Sequence, residues 1–257
     1  MLGLNAEDRG GIDVAGLTVS FRGTRVLDDV SFSAPRGALA VVGNNGAGKS
    51  TLLRVLATLE PATGSVVVDG HDICSWTGVR AARRRLGYLS AEPDAPASHT
   101  IVDAATYGAW LMRVPAARRA EAVDRAIDLV GLSDRRTDRL TVLSSGLRQR
   151  ALLARALVHD PAVVLLDEPT AAVDPEQRTE IRRTIRLLAA DRVVVFSTHL
   201  IEDVEHAADH VLVLQQGTSV WCGPAADLLA IGRDAAKGSD DGTLEAALGS
   251  FRAAAER

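Results

Sequence analysis

The sequence predicts an α/β fold built from a core with a parallel sheet, an N-terminal antiparallel β subdomain and a helical insertion subdomain. Apolar runs alternate with helical patterns along most of the chain, and the later runs lack polar alternation, which indicates parallel strands buried on both faces. Turns at Arg22-Gly23 and Asp69-Gly70 favour antiparallel pairing of the early strands. The block from about 92 to 142 interrupts the strand rhythm and is almost all helical in pattern.

The elements of this fold can be assigned in chain order. Strands are predicted for the apolar, β-rich runs at 17–21, 38–42, 65–68, 163–166, 193–196 and 211–214. Helices are predicted between them, near 49–59, 101–113, 116–130, 147–158, 175–189 and 200–208.

The chain divides into one domain and a tail. Residues 1–230 form the predicted domain, which includes the insertion, and residues 231–257 form a linker and a C-terminal helix. The stretch KGSDDG is the linker. Leu244, Leu248 and Phe251 share one face of the tail helix, which predicts that this helix packs on the body of the protein.

Composition excludes several classes of protein. Acidic residues outnumber basic ones by 33 to 29, and the formal charge of −4 argues against a nucleic-acid binder held by a general positive field. No apolar run approaches the roughly 18 residues that cross a bilayer, and the start of the chain does not resemble a signal peptide. Cys74 and Cys222 lack metal-ligand spacing, which fits a reduced, intracellular compartment. We therefore expect a cytoplasmic protein without a nucleic-acid partner.

The first motif with chemical content is GNNGAGKS, residues 43–50, which matches G-x-x-x-x-G-K-[ST] between a strand and a helix. Its glycines let backbone N–H groups turn inward around phosphates. The motif predicts a P-loop NTPase core in which Lys49 reaches the β- and γ-phosphates and the Ser50 hydroxyl binds Mg²⁺. The predicted nucleotide-binding residues of this loop are Gly43, Asn44, Asn45, Gly46, Ala47, Gly48, Lys49, Ser50 and Thr51.

The second motif is VVLLDEPT, residues 163–170, where a buried strand ends in two carboxylates. Ligands of open α/β sheets bind beyond the carboxyl ends of the strands. Asp167 is therefore predicted to hold Mg²⁺ through water. Glu168 is predicted to be the general base that polarises an attacking water, a role worth about 10²–10⁴ in rate.

A third stretch, LSSGLRQR at residues 143–150, has the character of a helix start with exposed backbone N–H groups, which suits an anion. Five features follow one another along the chain: the phosphate loop, this stretch, LLDEP, the pair Val173 and Asp174, and a lone His199. This order resembles that of the ATP-binding subunits of ABC transporters, and the resemblance covers nearly the whole chain. In that family two subunits pair head to tail, and the signature motif of one closes over the ATP bound by the other.

Residues 143–150, called the signature segment below, match the signature motif of that family. The resemblance implies that Ser144 and the N–H of Gly146 hold the γ-phosphate of a partner's ATP. Ser145 belongs to the same contact and stands where the family usually has glycine. Its Cβ would crowd the phosphate or add strain at a positive φ, whereas its hydroxyl would add a donor. We expect the serine to be tolerated.

Three further positions follow from the resemblance. Phe21 matches the aromatic residue that stacks on adenine, although a core phenylalanine on a strand is an open alternative. His199 matches the histidine that contacts the γ-phosphate, and Asp174 matches the aspartate that shapes the dimer interface. Together with Lys49 and Glu168, His199 completes the predicted catalytic set.

The stretch LGYLSAEPDA departs from the family at Ala91, where a glutamine usually touches Mg²⁺ and the attacking water. Alanine does neither. Glu92 would serve if the loop shifted by one residue, but Pro93 stiffens the backbone there. We expect hydrolysis to continue through Glu168 and His199, with weaker or altered coupling to a membrane partner.

The resemblance implies an ATPase subunit that binds ATP and Mg²⁺, pairs with a second copy or a related ATP-binding subunit, and powers a transmembrane permease on a separate chain. Through that permease it would lie on the inner face of the cell membrane. Export is expected over import, because the chain stops soon after the ATPase core and its tail helix resembles that of small exporters. Two alternatives stay open: a soluble ATPase of the same superfamily that acts on ribosomes or nucleic acid, and a weakly hydrolysing, ATP-gated module.

Overall fold

The predicted α/β fold is confirmed in the computed structural model, which describes residues 10–236 and 247–251. The strands are β1 (Ile12–Phe21), β2 (Thr24–Ala34), β3 (Gly37–Val42), β4 (Thr63–Val68), β5 (His71–Asp72), β6 (Leu86–Leu89), β7 (Val163–Leu166), β8 (Val193–Thr198), β9 (His210–Gln215) and β10 (Thr218–Pro224). The helices are α1 (Lys49–Leu56), α2 (Trp76–Ala82), α3 (Ile101–Leu111), α4 (Ala116–Leu129), α5 (Ser145–Leu157), α6 (Pro175–Ala189), α7 (Ile201–Ala207) and α8 (Ala225–Ala236).

The larger sheet has the strand order β10-β9-β3-β8-β7-β6, and only the edge pair β9 and β10 is antiparallel. Its strands are buried on both faces, so successive residues enter two different cores. In β3, Leu39 and Val41 belong to the core beside α1 and the smaller sheet, whereas Ala40 and Val42 belong to the core beside α5, α6 and α7. This double burial explains why the strands are continuous apolar runs in the sequence.

Three neighbouring parallel strands position the chemistry. Strand β8 lies between β3 and β7, and all three run in the same direction. Their carboxyl ends therefore meet at one edge of the sheet. The phosphate loop follows β3, the Asp167–Glu168 pair follows β7, and His199 follows β8. We call this place the carboxyl edge.

The smaller sheet is antiparallel, with the order β2-β1-β4-β5. The sequence pattern did not predict β2, the short strands β5 and β6 or the edge strand β10. Two consecutive aspartates, Asp28 and Asp29, interrupt the apolar pattern of β2, and Asp29 has a positive φ of 54°. The pairing of β1 with β2 shifts register in this region, which indicates a bulge. A strand with a bulge loses the strict alternation that sequence patterns detect.

The helical insertion is less helical than its pattern predicts. Helices α3 and α4 are present, but residues 92–99 are irregular, and Pro93 and Pro96 disfavour a helix there. Helix α3 begins only after a capping box formed by Thr100 and Asp103. Helix α5, which carries most of the signature segment, begins at Ser145 rather than near the predicted residue 147.

The C-terminal end is described in two pieces. Helix α8 continues through residue 230, where the sequence analysis placed the domain boundary. The predicted linker KGSDDG and Leu244 lie outside the described residues, whereas residues 247–251 are helical. Leu248 is buried, its carbonyl accepts a hydrogen bond from Gln215 Nε2 at 2.7 Å, and the Phe251 ring lies 6.1 Å from that of Trp221. Among the helices of the described residues, none has both the length and the apolar character that a membrane crossing needs.

Candidate nucleotide site

The phosphate loop requires glycine at its tightest points. Gly43, Gly46 and Gly48 have φ values of 155°, 79° and 101°. A Cβ on Gly43 would lie 2.2 Å from the Leu214 carbonyl oxygen, and a Cβ on Gly48 would lie 2.6 Å from Leu27 Cδ2. The loop is therefore wedged against β9 and β2, and no larger residue fits at either position.

Lys49 is tucked into this loop. Its side chain is only 5% exposed, and Nζ donates hydrogen bonds to the carbonyl oxygens of Gly43 at 2.7 Å and Asn44 at 3.2 Å. Burial lowers the pKa of Lys49, and the negative charges of Glu168 and Asp167 oppose that shift. The ammonium group is thus held where the loop folds over, between the loop carbonyls and the two carboxylates. Elsewhere in the loop, Asn44, Asn45, Gly46 and Ser50 are exposed, Thr51 is half-buried, and Ala47 is buried.

A continuous set of hydrogen bonds joins the three strand ends of the carboxyl edge. Asp167, which is 3% exposed, accepts hydrogen bonds through Oδ1 from Ser50 Oγ at 3.1 Å and Ser197 Oγ at 2.7 Å. Ser197 Oγ in turn accepts a hydrogen bond from the backbone N–H of Glu168 at 2.8 Å. Ser197 thus fixes both carboxylate residues, and the sequence analysis missed it because a serine inside an apolar strand carries no motif.

The predicted magnesium ligands fit that ion. Ser50 Oγ and Asp167 Oδ1 are hard oxygen donors side by side, and Mg²⁺ binds through one or two such protein oxygens together with waters and substrate phosphates. Within the described residues, no group of three or more histidine, cysteine or acidic side chains forms a metal cluster. The pair Ser50 and Asp167 therefore stays the predicted site.

Glu168 has an unusual backbone. Its φ is +48°, in the left-handed region, which costs of order 1–3 kcal/mol when a side chain is present. Its Oε2 atom lies 3.9 Å from His199 Nδ1, and both side chains are partly exposed. The distance is longer than a hydrogen bond, so both side chains keep polar atoms that a water or a phosphate oxygen beside them can bond.

The signature segment begins a helix, as predicted. Ser144 is the N-cap of α5, and its hydroxyl accepts a hydrogen bond from the Leu147 N–H at 3.4 Å. Ser145 is the first helical residue and is not among the residues with positive φ, so the strain considered in the sequence analysis is absent. Its exposed hydroxyl donates to the Ala172 carbonyl oxygen at 2.9 Å. Ser145 thus ties the start of α5 to the segment that follows Glu168.

The glycine of the signature segment packs against α6. A Cβ on Gly146 would lie 2.4 Å from Gln177 Cγ, so the close approach of the two helices requires glycine. Asp174 caps α6 by accepting a hydrogen bond from the Gln177 N–H at 3.0 Å. Arg150 is buried and donates to Gln177 Oε1 at 2.8 Å and to the Val130 carbonyl oxygen at the end of α4. These contacts hold the signature segment rigidly between the insertion and α6.

The phosphate loop and the signature segment are separate sites in the described part of the chain. In the part of the chain that the structure describes, no hydrogen bond joins residues 143–150 to residues 43–51. The signature segment instead bonds to the segment between β7 and α6, through Ser145 and Ala172. Its outward-facing serines are free to meet another molecule.

A family model described as ABC transporter matches residues 27–171, which include the phosphate loop, the signature segment and the end of β7. The chain belongs to the ABC transporter family. It is 35% identical over 228 residues to phosphate import ATP-binding protein PstB 2 of Natronomonas pharaonis, which covers 83% of this chain and 80% of that protein. The ABC chain described here is thus an ATP-binding subunit and an ATPase.

Two more similarities concern length and fold. Methionine import ATP-binding protein MetN 2 of Burkholderia mallei is 38% identical over 208 residues, which cover 77% of the ABC subunit but 52% of that relative. The chain therefore spans about half the length of that relative. The solved structure of cbiO1 from Clostridium perfringens, part of the ABC transporter complex cbiONQ, superposes with a TM-score of 0.78 at 27% identity and covers 88% of this chain and 94% of that one.

Phe21 of the ABC subunit lies at the end of β1, opposite Thr24 across the turn to β2. Its side chain is 42% exposed, so the alternative that Phe21 is a core residue is wrong. Strand β2 contacts the phosphate loop, because Gly48 packs against Leu27 and Gly217 links Asp28 to Ala47 through backbone hydrogen bonds. An exposed aromatic ring beside this strand has a free face for a base.

Ala91 lies just beyond β6, whose last residue Leu89 accepts a hydrogen bond from the Asp167 N–H at 2.8 Å. Ala91 and Glu92 are both exposed. The loop that holds them is anchored farther on, where Arg155 donates to the Asp94 carbonyl oxygen at 2.6 Å. The position that departs from the family is therefore adjacent to the carboxyl edge in this ABC subunit.

Proposed function

We propose that this ABC subunit binds and hydrolyses ATP in a dimer closed around two ATP molecules and powers a permease on a separate chain. The observation that carries the proposal is the carboxyl edge. There a buried Lys49, an Asp167 bonded to Ser50, and a Glu168 facing His199 lie at the ends of three adjacent strands. This is the location where open α/β sheets bind ligands.

Each group at the carboxyl edge has a distinct proposed task. Lys49 exchanges its loop carbonyls for the β- and γ-phosphates, whose charge it neutralises. Glu168 polarises the attacking water and receives its proton. His199, whose Nδ1 lies 3.9 Å from Glu168 Oε2, donates a hydrogen bond to the γ-phosphate. Ser50 and Asp167 would hold Mg²⁺, which would neutralise charge on the phosphates when bound.

The dimer follows from the incomplete site. In the described part of the chain no hydrogen bond joins the signature segment to the phosphate loop, and Ser144 and Ser145 of that segment are exposed. We propose that these residues and Gly146 contact the γ-phosphate bound by a second copy or a related ATP-binding subunit. Asp174 caps α6 beside this segment, which supports a position at the dimer interface.

The permease and the membrane location rest on the relatives. PstB 2 and MetN 2 are named as import ATP-binding proteins, and cbiO1 is part of a transporter complex. We propose that this subunit likewise lies on the inner face of the membrane through a separate permease. The export predicted from the sequence gains no support from these names, which favour import. Transport assays with the permease reconstituted in vesicles, with substrate added on either side, measure the direction.

The dimer is tested by light scattering on purified Glu168→Gln protein with and without Mg-ATP. Removal of the general base traps bound ATP, so we expect the mass to double with Mg-ATP and not with Mg-ADP. The double variant Glu168→Gln with Lys49→Ala is the control, because it loses the cation that binds the phosphates. A monomer that still binds ATP would contradict a composite site between identical chains.

A further inference from the structure

Asp203 is a buried carboxylate that belongs to none of the motifs. It lies in α7, is 1% exposed, and accepts three hydrogen bonds. Its Oδ2 atom accepts from Thr170 Oγ1 and Thr198 Oγ1, both at 2.5 Å. Its Oδ1 atom accepts from Arg182 Nε at 2.6 Å. In the described part of the chain its three side-chain partners are all donors, and Arg182 balances its charge.

The two threonines flank the residues proposed to carry the reaction. Thr170 follows Glu168 by two positions, and Thr198 immediately precedes His199. Thr198 Oγ1 also accepts a hydrogen bond from the Leu200 N–H at 3.0 Å, so the backbone is held on both sides of His199. One carboxylate thus clamps the segment after β7 to the segment after β8.

The segment after β7 needs such a clamp. Glu168 and Ala172 both have left-handed backbones, with φ values of +48° and +55°, and Thr170 lies between them. Residues with a strained backbone persist only where several surrounding contacts hold that backbone conformation. Ser197 holds the Glu168 N–H from the sheet, and Asp203 holds the segment from the opposite side through Thr170.

We propose that Asp203 is a positioning residue that sets the separation between Glu168 and His199 in the hydrolysis step. The proposal rests on the proposed function of these two residues. Glu168 Oε2 and His199 Nδ1 are 3.9 Å apart, too far for a hydrogen bond, so their spacing depends on the segments that carry them. Asp203 joins both segments through Thr170 and Thr198, beside the link that Ser197 makes to Glu168, and Arg182 anchors it to α6.

The decisive experiment compares the hydroxyl links by steady-state ATPase kinetics. Thr170→Val and Thr198→Val keep the side-chain shape but remove the donors, whereas Thr170→Ser and Thr198→Ser keep the donors. We expect each valine variant to lower kcat by about fivefold to tenfold, with KM for ATP within about twofold, because the phosphate loop is untouched. The serine variants should stay near the wild-type kcat.

Asp203→Asn extends the test. Both carboxylate oxygens of Asp203 accept hydrogen bonds, and in asparagine an NH₂ group replaces one of them and faces a donor that it cannot accept from. We expect kcat to fall by about 10–100-fold with ATP-binding stoichiometry retained. If the valine variants bind ATP with full stoichiometry and keep the wild-type kcat, the positioning role is wrong. If the valine variants lose kcat and ATP-binding stoichiometry in parallel, Asp203 only stabilises the fold, and this result also contradicts its positioning role.

The same data separate this inference from the proposed function. A wild-type protein that binds Mg-ATP but releases no phosphate contradicts the proposed roles of Glu168 and His199. A wild-type protein that hydrolyses ATP, with Glu168→Gln inactive and both valine variants fully active, contradicts only the role of Asp203.

Discussion

The carboxyl edge and the signature segment are both predicted phosphate sites, yet the chain builds them differently. At the carboxyl edge, Lys49 and Asp167 are nearly buried, and hydrogen bonds through Ser197 connect the strand ends. In the signature segment, Ser144 and Ser145 are exposed. The Ser144 hydroxyl caps α5, and the Ser145 hydroxyl donates a hydrogen bond to the Ala172 carbonyl oxygen.

The difference shows which parts of the reaction one chain completes alone. The carboxyl edge holds the Lys49 cation, the proposed base and the proposed metal ligands with internal bonds, so these groups are preorganised before a partner arrives. The signature segment is held in place because Gly146 packs on Gln177 and Arg150 bonds to Gln177, and among the described residues it makes no hydrogen bond to the phosphate loop. A rigid, exposed donor surface suits a partner's ligand, and the following predictions test this contrast.

The largest effect is expected at the carboxyl edge. Glu168→Gln should lower kcat by about 10²–10⁴, because the general base is lost, with little change in the Kd of ATP. Steady-state phosphate release and ATP titration measure the two quantities. Glu205→Gln, an exposed glutamate on α7, is the matched control and should keep wild-type activity. Equal activity of the two variants would contradict the role of Glu168.

A charge in the signature segment should separate its capping role from its phosphate role. Aspartate is as good an N-cap as serine, so Ser144→Asp should leave the melting temperature unchanged. Its charge would repel the partner's γ-phosphate and weaken ATP-driven dimerisation by about 10²-fold or more, since like charges at an interface cost several kcal/mol. Ser144→Asn caps the helix without the charge and should still dimerise.

Mixing these variants sharpens the comparison further. A mixed dimer of Glu168→Gln and Ser144→Asp chains would hold one site with both defects and one site with neither. We expect the mixture to hydrolyse ATP faster than the sum of its separate components. If each chain completed its own site, mixing would bring no gain, and the composite site would be wrong.

Phe21→Ala tests the base contact beside the carboxyl edge. Loss of stacking should weaken ATP binding by about 5–150-fold, because base stacking on an aromatic ring is worth ~1–3 kcal/mol. Titration calorimetry measures the Kd. Phe21→Trp should retain binding. Tyr107→Ala removes an aromatic ring of matching exposure on α3 and should leave the Kd unchanged. Unaltered affinity in Phe21→Ala would exclude stacking.

Ala91→Gln tests the departure next to Asp167. The added amide should change the stimulation of the ATPase by the permease about fivefold, the lower end of coupling free energies between sites. Rates with and without the reconstituted permease measure the change, and Glu92→Gln is the neighbouring control. If both the basal rate and its stimulation stay unchanged in Ala91→Gln, the hypothesis of altered coupling fails.

The smallest effect is expected for the hydrogen bond that links the signature segment to the segment after Glu168. Ser145→Ala removes the hydrogen bond to the Ala172 carbonyl and should lower the ATPase rate about twofold to fivefold, because one exposed hydrogen bond contributes about 0.5–1 kcal/mol. Ser145→Thr keeps the hydroxyl and should behave like the wild type. A faster Ser145→Ala variant would show that the bond restrains the site rather than supports it.

The sequence by itself determined the fold class and located the groups proposed to carry the chemistry at the strand ends. Continuous apolar runs are sufficient to indicate buried parallel strands, and the spacing of the glycines with Lys49 and Ser50 specifies a loop around phosphates. Asp167 and Glu168 could be found because they directly follow such a run. These features are local, so a short stretch of sequence contains all the information that they need.

Only the tertiary structure decided what supports those residues. Ser197, Asp203 and Arg182 belong to no motif, and they became visible because β8 lies between β3 and β7 and α7 packs beside both strand ends. The exposure of Phe21 and the bond from Ser145 to Ala172 likewise depend on elements distant in sequence. Local patterns record which residues are apolar or flexible, whereas these contacts depend on which strands and helices become neighbours in the folded chain.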